Sequence, residues 1–175
     1  MTQQIKKSEL IASSDLFKQA MRHLMGGVSI ITVGEGEDRT GLTVTSFSAL
    51  SSEPPRVLVC VNRTSSSFPI FLRYKSFGAN VLAASQQQIA ERFAGKGGFN
   101  GTDRYALGQW HTLASGVSIL AESLAAFDCE VEEVIERHSH AIIIGRVRDV
   151  VTHAGTEGLG YWRGGYHKLG SATAT

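Results

Sequence analysis

Apolar residues recur along this chain with two periods, and the changes from one to the other divide it into elements. From Asp15, residues Leu16, Phe17, Ala20, Met21, Leu24 and Met25 fall three and four apart, which predicts a helix with one apolar stripe. Ser14 or Asp15 can cap its start, and Gly26-Gly27 ends it. The period then shortens to two. Residues 28–33 read as a strand, 34–39 as a polar turn and 41–47 as the returning strand of a hairpin. In the returning strand Leu42, Val44 and Ser46 face one way, and Thr43, Thr45 and Phe47 the other. It runs into Ser46, Ser48, Ser51 and Ser52, after which Pro54-Pro55 stops any continuing ladder. So many small hydroxyls read either as a serine-rich turn or as a strand end that seats a polar ligand.

Residues 57–61 are apolar on both faces, as in a central strand covered on both sides. A short helix over 68–74 follows, with Phe68, Phe71 and Leu72 on one face, and then a strand over 77–84. Ser85 and Gln88 form a capping-box pattern that opens a helix through Phe93. The glycine-rich stretch 95–108 reads as a long, mobile surface loop of the kind that often serves as a lid. A short strand near 117–119 comes next. From Ala125 a long strand alternates Phe127, Cys129 and Val131 with a wet face of Asp128, Glu130 and Glu132. Its phase slips at Glu133, which predicts a bulge. Residues 141–151 are its partner, and 161–163 form a last short strand. Residues 1–13 and 170–175 read as mobile tails of one domain spanning 1–175. The fold class expected is mainly β, an antiparallel barrel with a few short helices on its outside.

Composition narrows the function more than the fold. The 175 residues are 42% hydrophobic and 19% charged, enough to bury a core, and the net charge of +1 offers no field for nucleic acid or an acidic membrane. No run approaches the ~20 apolar residues of a membrane span, and the first residues lack the apolar segment of a signal peptide. Cys60 and Cys129 lie in apolar surroundings without CxxC spacing, as free thiols in a reducing cytoplasm do. No GxGxxG follows a strand, and Gly95-Lys96 lacks the spacing of a P-loop, so a dinucleotide fold is not expected.

Three constellations carry possible chemistry. Glu136, His138 and His140 alternate before a strand, either as a metal site or as an ordinary wet face; no metal is expected. Asn62, Ser65, Ser66 and Ser67 lie between a buried strand and a helix start, either as an anion seat or as a polar turn with a cap. Tyr161, Trp162 and Tyr166 can be core, interface or stacking surface.

Taken in order, several motifs resemble the short-chain flavin reductases, the reductase partners of two-component flavin-dependent monooxygenases. They are MGGVSIIT at 25–32, Gly41-x-Thr43-x-x-Ser46-Phe47-x-x-Leu50-Ser51 with Pro54-Pro55, and Asn62-x-x-Ser65. Arg92-Phe93-Ala94-Gly95, His140 ahead of 142–145, and Arg163-Gly164-x-Tyr166-His167 complete the set over residues 15–169. The resemblance implies an antiparallel split β-barrel of Greek-key type, a homodimer, and FMN or FAD bound near the subunit interface. It places Thr43, Val44, Thr45, Ser46, Phe47 and Ser48 along the isoalloxazine ring, and Asn62, Ser65, Ser66 and Ser67 at the phosphate. Phe93, Ala94, Gly95 and Lys96 then finish the pocket, Tyr166 is the C-terminal aromatic near it, and His140 stands on the nicotinamide side. His138-Ser139 departs from the family's Gly-Asp at that point, as does Ser67-Phe68-Pro69 from its polar continuation.

The activity implied is hydride transfer from NADH or NADPH to FMN or FAD, with the reduced flavin passed by diffusion to a partner monooxygenase in the cytoplasm. Such chemistry needs no covalent nucleophile, and the chain shows no triad-like arrangement. The alternatives are a flavin- or haem-binding split-barrel module without reductase activity, and a metal-dependent role for Glu136, His138 and His140.

Overall fold

The computed structural model describes residues 12–155 and 157–170. Most of the predicted lead-in and tail lie outside the described residues. In chain order the elements are α1 (Ser14–Met21), β1 (Gly26–Gly27), β2 (Ser29–Val33), β3 (Thr40–Val44), β4 (Ser48–Ser52) and β5 (Pro55–Asn62). Then come α2 (Phe68–Tyr74), β6 (Ser76–Val81), α3 (Gln87–Phe93), β7 (Trp110–Thr112), β8 (Ser118–Leu120) and β9 (Ala125–Arg137). The last three are β10 (His140–Thr152), β11 (Gly158–Trp162) and β12 (Gly165–Leu169).

Seven strands form one antiparallel sheet in the order β3-β2-β6-β9-β10-β5-β4. Its two edge strands, β3 and β4, are neighbours in sequence with only residues 45–47 between them. A chain that passes from one edge to the other in three residues requires the sheet to curl and bring those edges towards each other. The connection is tied to β5: the Ser46 hydroxyl donates to the carbonyl of Cys60 at 3.1 Å and accepts its N–H at 3.2 Å. The inner face is a continuous apolar cluster that includes Ile31, Val33, Val59, Val61, Phe77, Ala79 and Ile143, closed at one end by Phe68 and Phe71 of α2. Each of the Val, Ile and Phe side chains contributes about 1.5–3 kcal/mol on burial. The mainly β, antiparallel expectation holds, with short helices on the outside.

A second cluster, on the opposite side of β2, decides where the site lies. Val28, Ile30, Leu82, Ile89, Ala90, Phe93, Tyr105, Leu120 and Leu159 are buried together, so α3 and β11 both pack against that face. The three-stranded sheet β1-β11-β12 is anchored here, with Gly26 opposite Tyr161 and Gly27 opposite Gly160.

Several local expectations are corrected. Helix α1 stops at Met21, well before Gly26-Gly27, which are strand, and its cap is Ser13, whose hydroxyl accepts the N–H of Leu16 at 3.3 Å. The hydroxyl-rich stretch 48–52 is itself a strand, hairpinned onto β5. Ser85 does not cap α3. A 3₁₀ turn at Ala84–Gln86 precedes it, and the Gln86 side chain accepts the N–H of Ala83 at 3.0 Å. The 95–108 stretch carries a 3₁₀ helix, Gly101–Ala106, pinned by the buried Tyr105, whose hydroxyl donates to the carbonyl of Thr40 at 2.6 Å. Asp128, expected on a wet face, is buried and accepts the N–H of Ser115 at 2.9 Å. The predicted slip on β9 lies one residue from its expected place, since Ile144 pairs with Glu133 and Gly145 with Val131, leaving Glu132 extra.

Candidate active site at the open edge of β3

Only one side of β3 is paired, to β2; the other side is an open edge. Helix α3 lies over the strand there. The Thr43 hydroxyl donates to the carbonyl of Ala90 at 2.6 Å, and Phe93 lies over Gly41, where an added Cβ would stand 2.8 Å from its ring. No side chain larger than hydrogen fits at Gly41 without moving that ring or the Ile31 carbonyl. Phe93 is held in turn by Tyr105 and Trp110, with ring centroids 5.0 and 5.4 Å away. The helix thus descends along the strand from Thr43 towards Gly41 and sets Ala94 and Lys96 beyond that end.

At the other end stands the turn between β11 and β12. Arg163 and Gly164 adopt φ of 50° and 88° there, a left-handed turn that glycine makes at no steric cost. The turn brings Gly164, Gly165 and Tyr166 opposite Thr45, with Tyr166 edge-on to Tyr161 at 5.1 Å. Between helix, strand and turn runs a groove of about 570 Å³, lined by these residues and by Val28, Val44, Gln87 and Glu91. That volume is in the range of ordinary small-molecule sites, roughly 300–1,000 Å³.

The groove is polar at one end and aromatic at the other. Outside that lining, at Gly41 on the same strand, the Ser67 hydroxyl (3.1 Å) and the Arg104 guanidinium both donate to the Gly41 carbonyl, which draws the Ser65–Ser67 turn against β3. The Ser65 hydroxyl beside them is buried and has no partner, an atom that an incoming acceptor or donor would satisfy. On α3, Glu91 accepts from the Gln87 amide at 3.0 Å and from the Lys96 ammonium at 2.8 Å. Those two donors, Lys96 first, hold its carboxyl below the usual carboxylate range. Burial, then the nearby Glu91 charge, raises the Tyr166 phenol, so it stays protonated and can donate.

Of the residues singled out in the sequence, Thr43, Val44, Thr45, Ala94, Lys96 and Tyr166 share the groove wall. The others do not line it. Phe93 is buried beneath α3, and Gly95 makes the turn after the helix with φ of 83°. Ser46 is engaged with Cys60, Phe47 packs in the barrel 5.4 Å from Phe127, and Ser48 begins β4 on the exposed side. Asn62 accepts the Thr64 N–H and hydroxyl, both at 2.9 Å; Ser66 is exposed and Ser67 is turned inward. His140 stands exposed at the start of β10, paired with Asn62, and its Nδ1 shares a 2.9 Å hydrogen bond with the Ser139 hydroxyl.

Glu136, His138 and His140 straddle the β9–β10 turn instead of facing one way. Glu136 is ion-paired with Arg63, and His138 occupies the turn with φ of 50°. Among the described residues no three metal-ligating side chains converge. Sequence reasoning missed Gln87, Glu91 and Arg104. The first two are four apart on the polar face of α3, a signal that was present; Arg104 reaches Gly41 only through the tertiary fold.

Comparison with known proteins adds a family and a chemistry. Residues 21–170 match the model of the flavin reductase like domain. The FMN reductase (NADH) RutF of Klebsiella pneumoniae is 32% identical over 159 residues, 91% of this chain and 96% of its own. BorF, the flavin reductase component of a bacterial two-component tryptophan halogenase, superposes with a TM-score of 0.83 at 28% identity, over 91% of this chain and all of its own. The NADH:FAD oxidoreductase SgcE6 of Streptomyces globisporus, solved with NAD and FAD fragments, gives 0.83 at 25% identity, over 95% and 100%.

Proposed function

The chain belongs to the flavin reductase like domain family, and from that premise we propose that it is an NAD(P)H-dependent flavin reductase acting in the groove beside β3. The observation that carries the reading is the groove itself. The unpaired edge of β3 at Thr43 and Val44, continued by Thr45, is flanked by an aromatic end at Tyr161 and Tyr166 and by a polar side at Gln87, Glu91 and Lys96. A flavin has the matching parts: a flat heteroaromatic ring edged with carbonyls and a ring nitrogen, and an anionic tail. The residues present therefore fit FMN or FAD.

When bound, the two heterocycles supply the chemistry, hydride passing from the dihydronicotinamide to the flavin. This chain's part is to bind and orient. Backbone groups of Thr43 and Thr45 on the groove wall would hold the ring's polar rim, and fixed donors beside a ring that gains negative charge would favour its reduced form. Tyr166, protonated across the physiological range, adds a hydroxyl donor at the aromatic end. Lys96, on the groove wall, would hold the anionic tail. His140 lies outside the groove of a single chain, and we assign it to the approach of the nicotinamide.

The protein acts as a homodimer. Leu16, Phe17, Met21, Leu24 and Met25 expose 46–66% of their surface along and just beyond α1, more than a helix stripe leaves bare when it has a partner. Reduced flavin leaves for an oxygenase-type partner, in keeping with BorF, which is named as one component of a two-component halogenase. No helix among the described residues is long and apolar enough to cross a membrane. The test is oxidation of NADH and NADPH, each against FMN, FAD and riboflavin. Steady flavin-dependent oxidation supports the assignment, and flavin binding without oxidation overturns it.

A further inference from the structure

We propose that Glu91 determines how firmly the groove holds a phosphorylated flavin, by keeping Lys96 neutralised within the site. The proposal deepens the flavin reading of the groove and rests on it. Among the described residues lining the groove, Lys96 is the one cation and Glu91 the one anion, so the wall carries no net charge for a phosphate. The pair is built into the end of α3. The Lys96 N–H donates to the Glu91 carbonyl at 3.0 Å, closing the helix's last turn through Gly95, and the ammonium then lies 2.8 Å from the carboxylate. Gln87 occupies the other carboxylate oxygen, fixing the side chain in place.

Mobility differs across the pair. Lys96 is 71% exposed and can turn towards a ligand, whereas Glu91 is 23% exposed and stays on the wall. A phosphate that draws Lys96 away therefore arrives beside an uncompensated carboxylate. The groove offers its ammonium only in competition, so the tail is retained weakly, as suits a flavin that must leave once reduced. Glu91 is in this sense a selectivity residue: it sets the preference for FMN over riboflavin, which shares the ring but has no phosphate.

Removing one unit charge a few ångströms from a phosphate at a protein surface shifts binding by roughly tenfold. Dissociation constants for FMN and riboflavin, read from flavin fluorescence at low salt, test this for the wild type, Glu91→Gln and Lys96→Gln. Glu91→Gln should raise the FMN-over-riboflavin preference roughly tenfold, with a matching fall in KM for FMN, and the gain should shrink as salt is added. Lys96→Gln should lower the same preference. A merely structural role for Glu91 would move both flavins together and leave their ratio unaltered, and that result overturns the proposal. Should Glu91→Gln not fold, Lys96→Gln decides, an unchanged preference counting against it. A wild type that binds riboflavin and FMN but whose ratio ignores both substitutions removes only this inference; one that binds neither flavin removes the groove assignment as well.

Discussion

Phe93 couples the outer core to the site, and truncating it separates structural support from ligand contact. The ring is 1% exposed, wedged between Gly41 of β3 and the rings of Tyr105 and Trp110. Phe93→Ala removes a fully buried ring from a place where strand and helix backbones cannot close up, because Thr43 and Ala90 are already in hydrogen-bond contact. The expected loss is about 3–5 kcal/mol, a large share of the ~5–15 kcal/mol that holds a domain together. Phe93→Leu keeps most of the volume and should cost less than about 1.5 kcal/mol. Urea unfolding followed by tryptophan fluorescence reads both, with Trp110 reporting directly on the cluster. Because the ring supports the groove from beneath, Phe93→Leu should bind FMN within about twofold of wild type, while Phe93→Ala loosens the wall that carries Ala94 and Lys96 and weakens binding. A Phe93→Ala cost below about 1 kcal/mol would refute the packing argument. A Phe93→Leu protein of normal stability that has lost FMN would mean that the ring touches the ligand.

Three further outcomes are expected. His140→Ala should leave FMN affinity unchanged and slow NADH oxidation by roughly tenfold, the size of one lost hydrogen bond in the transition state; unchanged turnover ends its role. Burial, then the Asp128 charge, pushes the Cys129 thiol from its ordinary 9.0 up to about 12, and burial also raises the Tyr105 phenol. Groups raised on folding support the fold fully below their unfolded values and lose that support as pH climbs towards the folded ones. Stability should therefore be level to about pH 9 and then fall by up to ~1.4 kcal/mol per pH unit per group; Cys129→Ala should flatten the first part of the slope, and a wild-type profile level through pH 11 contradicts the assignment. Phe17→Asp with Leu24→Asp should turn the dimer into a monomer by light scattering, and a dimer that survives both places the interface elsewhere.

Periodicity made the strands legible because one face of each long strand meets the core. The β9 phase slip is visible because a bulge moves every later side chain to the other face, whereas β5, expected to be covered on both faces, buries only Val57, Val59 and Val61 and leaves Leu58 and Cys60 partly exposed. Where reading failed, the deciding contacts were distant in sequence. Asp128 looks like a wet-face residue from its neighbours alone; only the 113–116 turn, folded over it, makes it a buried acceptor. The serines of 48–52 look like a turn because β5, the strand that pairs them, itself begins at the second of two prolines. Gly26-Gly27 look like a helix stop, yet their partners Tyr161 and Gly160 lie more than a hundred residues on.

The same distinction governs the site. Thr43, Thr45, Ala94 and Lys96 were legible through the motifs that resemble the family, and the fold brings those two segments to one groove. The serines after β5 read either as an anion seat or as a polar turn with a cap, and the fold divides them. Ser67 is spent on the Gly41 carbonyl, and Ser66 is left in solvent; Ser65 keeps a buried hydroxyl without a partner. The run of hydroxyls is thus split, Ser67 bracing the strand and Ser65 keeping an unpartnered hydroxyl. The bracing task is set by the barrel: β3 is an edge strand whose carbonyls need donors, and Ser67 and Arg104 supply them at Gly41. Further along the strand, at Thr43, the bracing passes to α3 through the Ala90 carbonyl, and the groove opens between that helix, the strand and the β11–β12 turn.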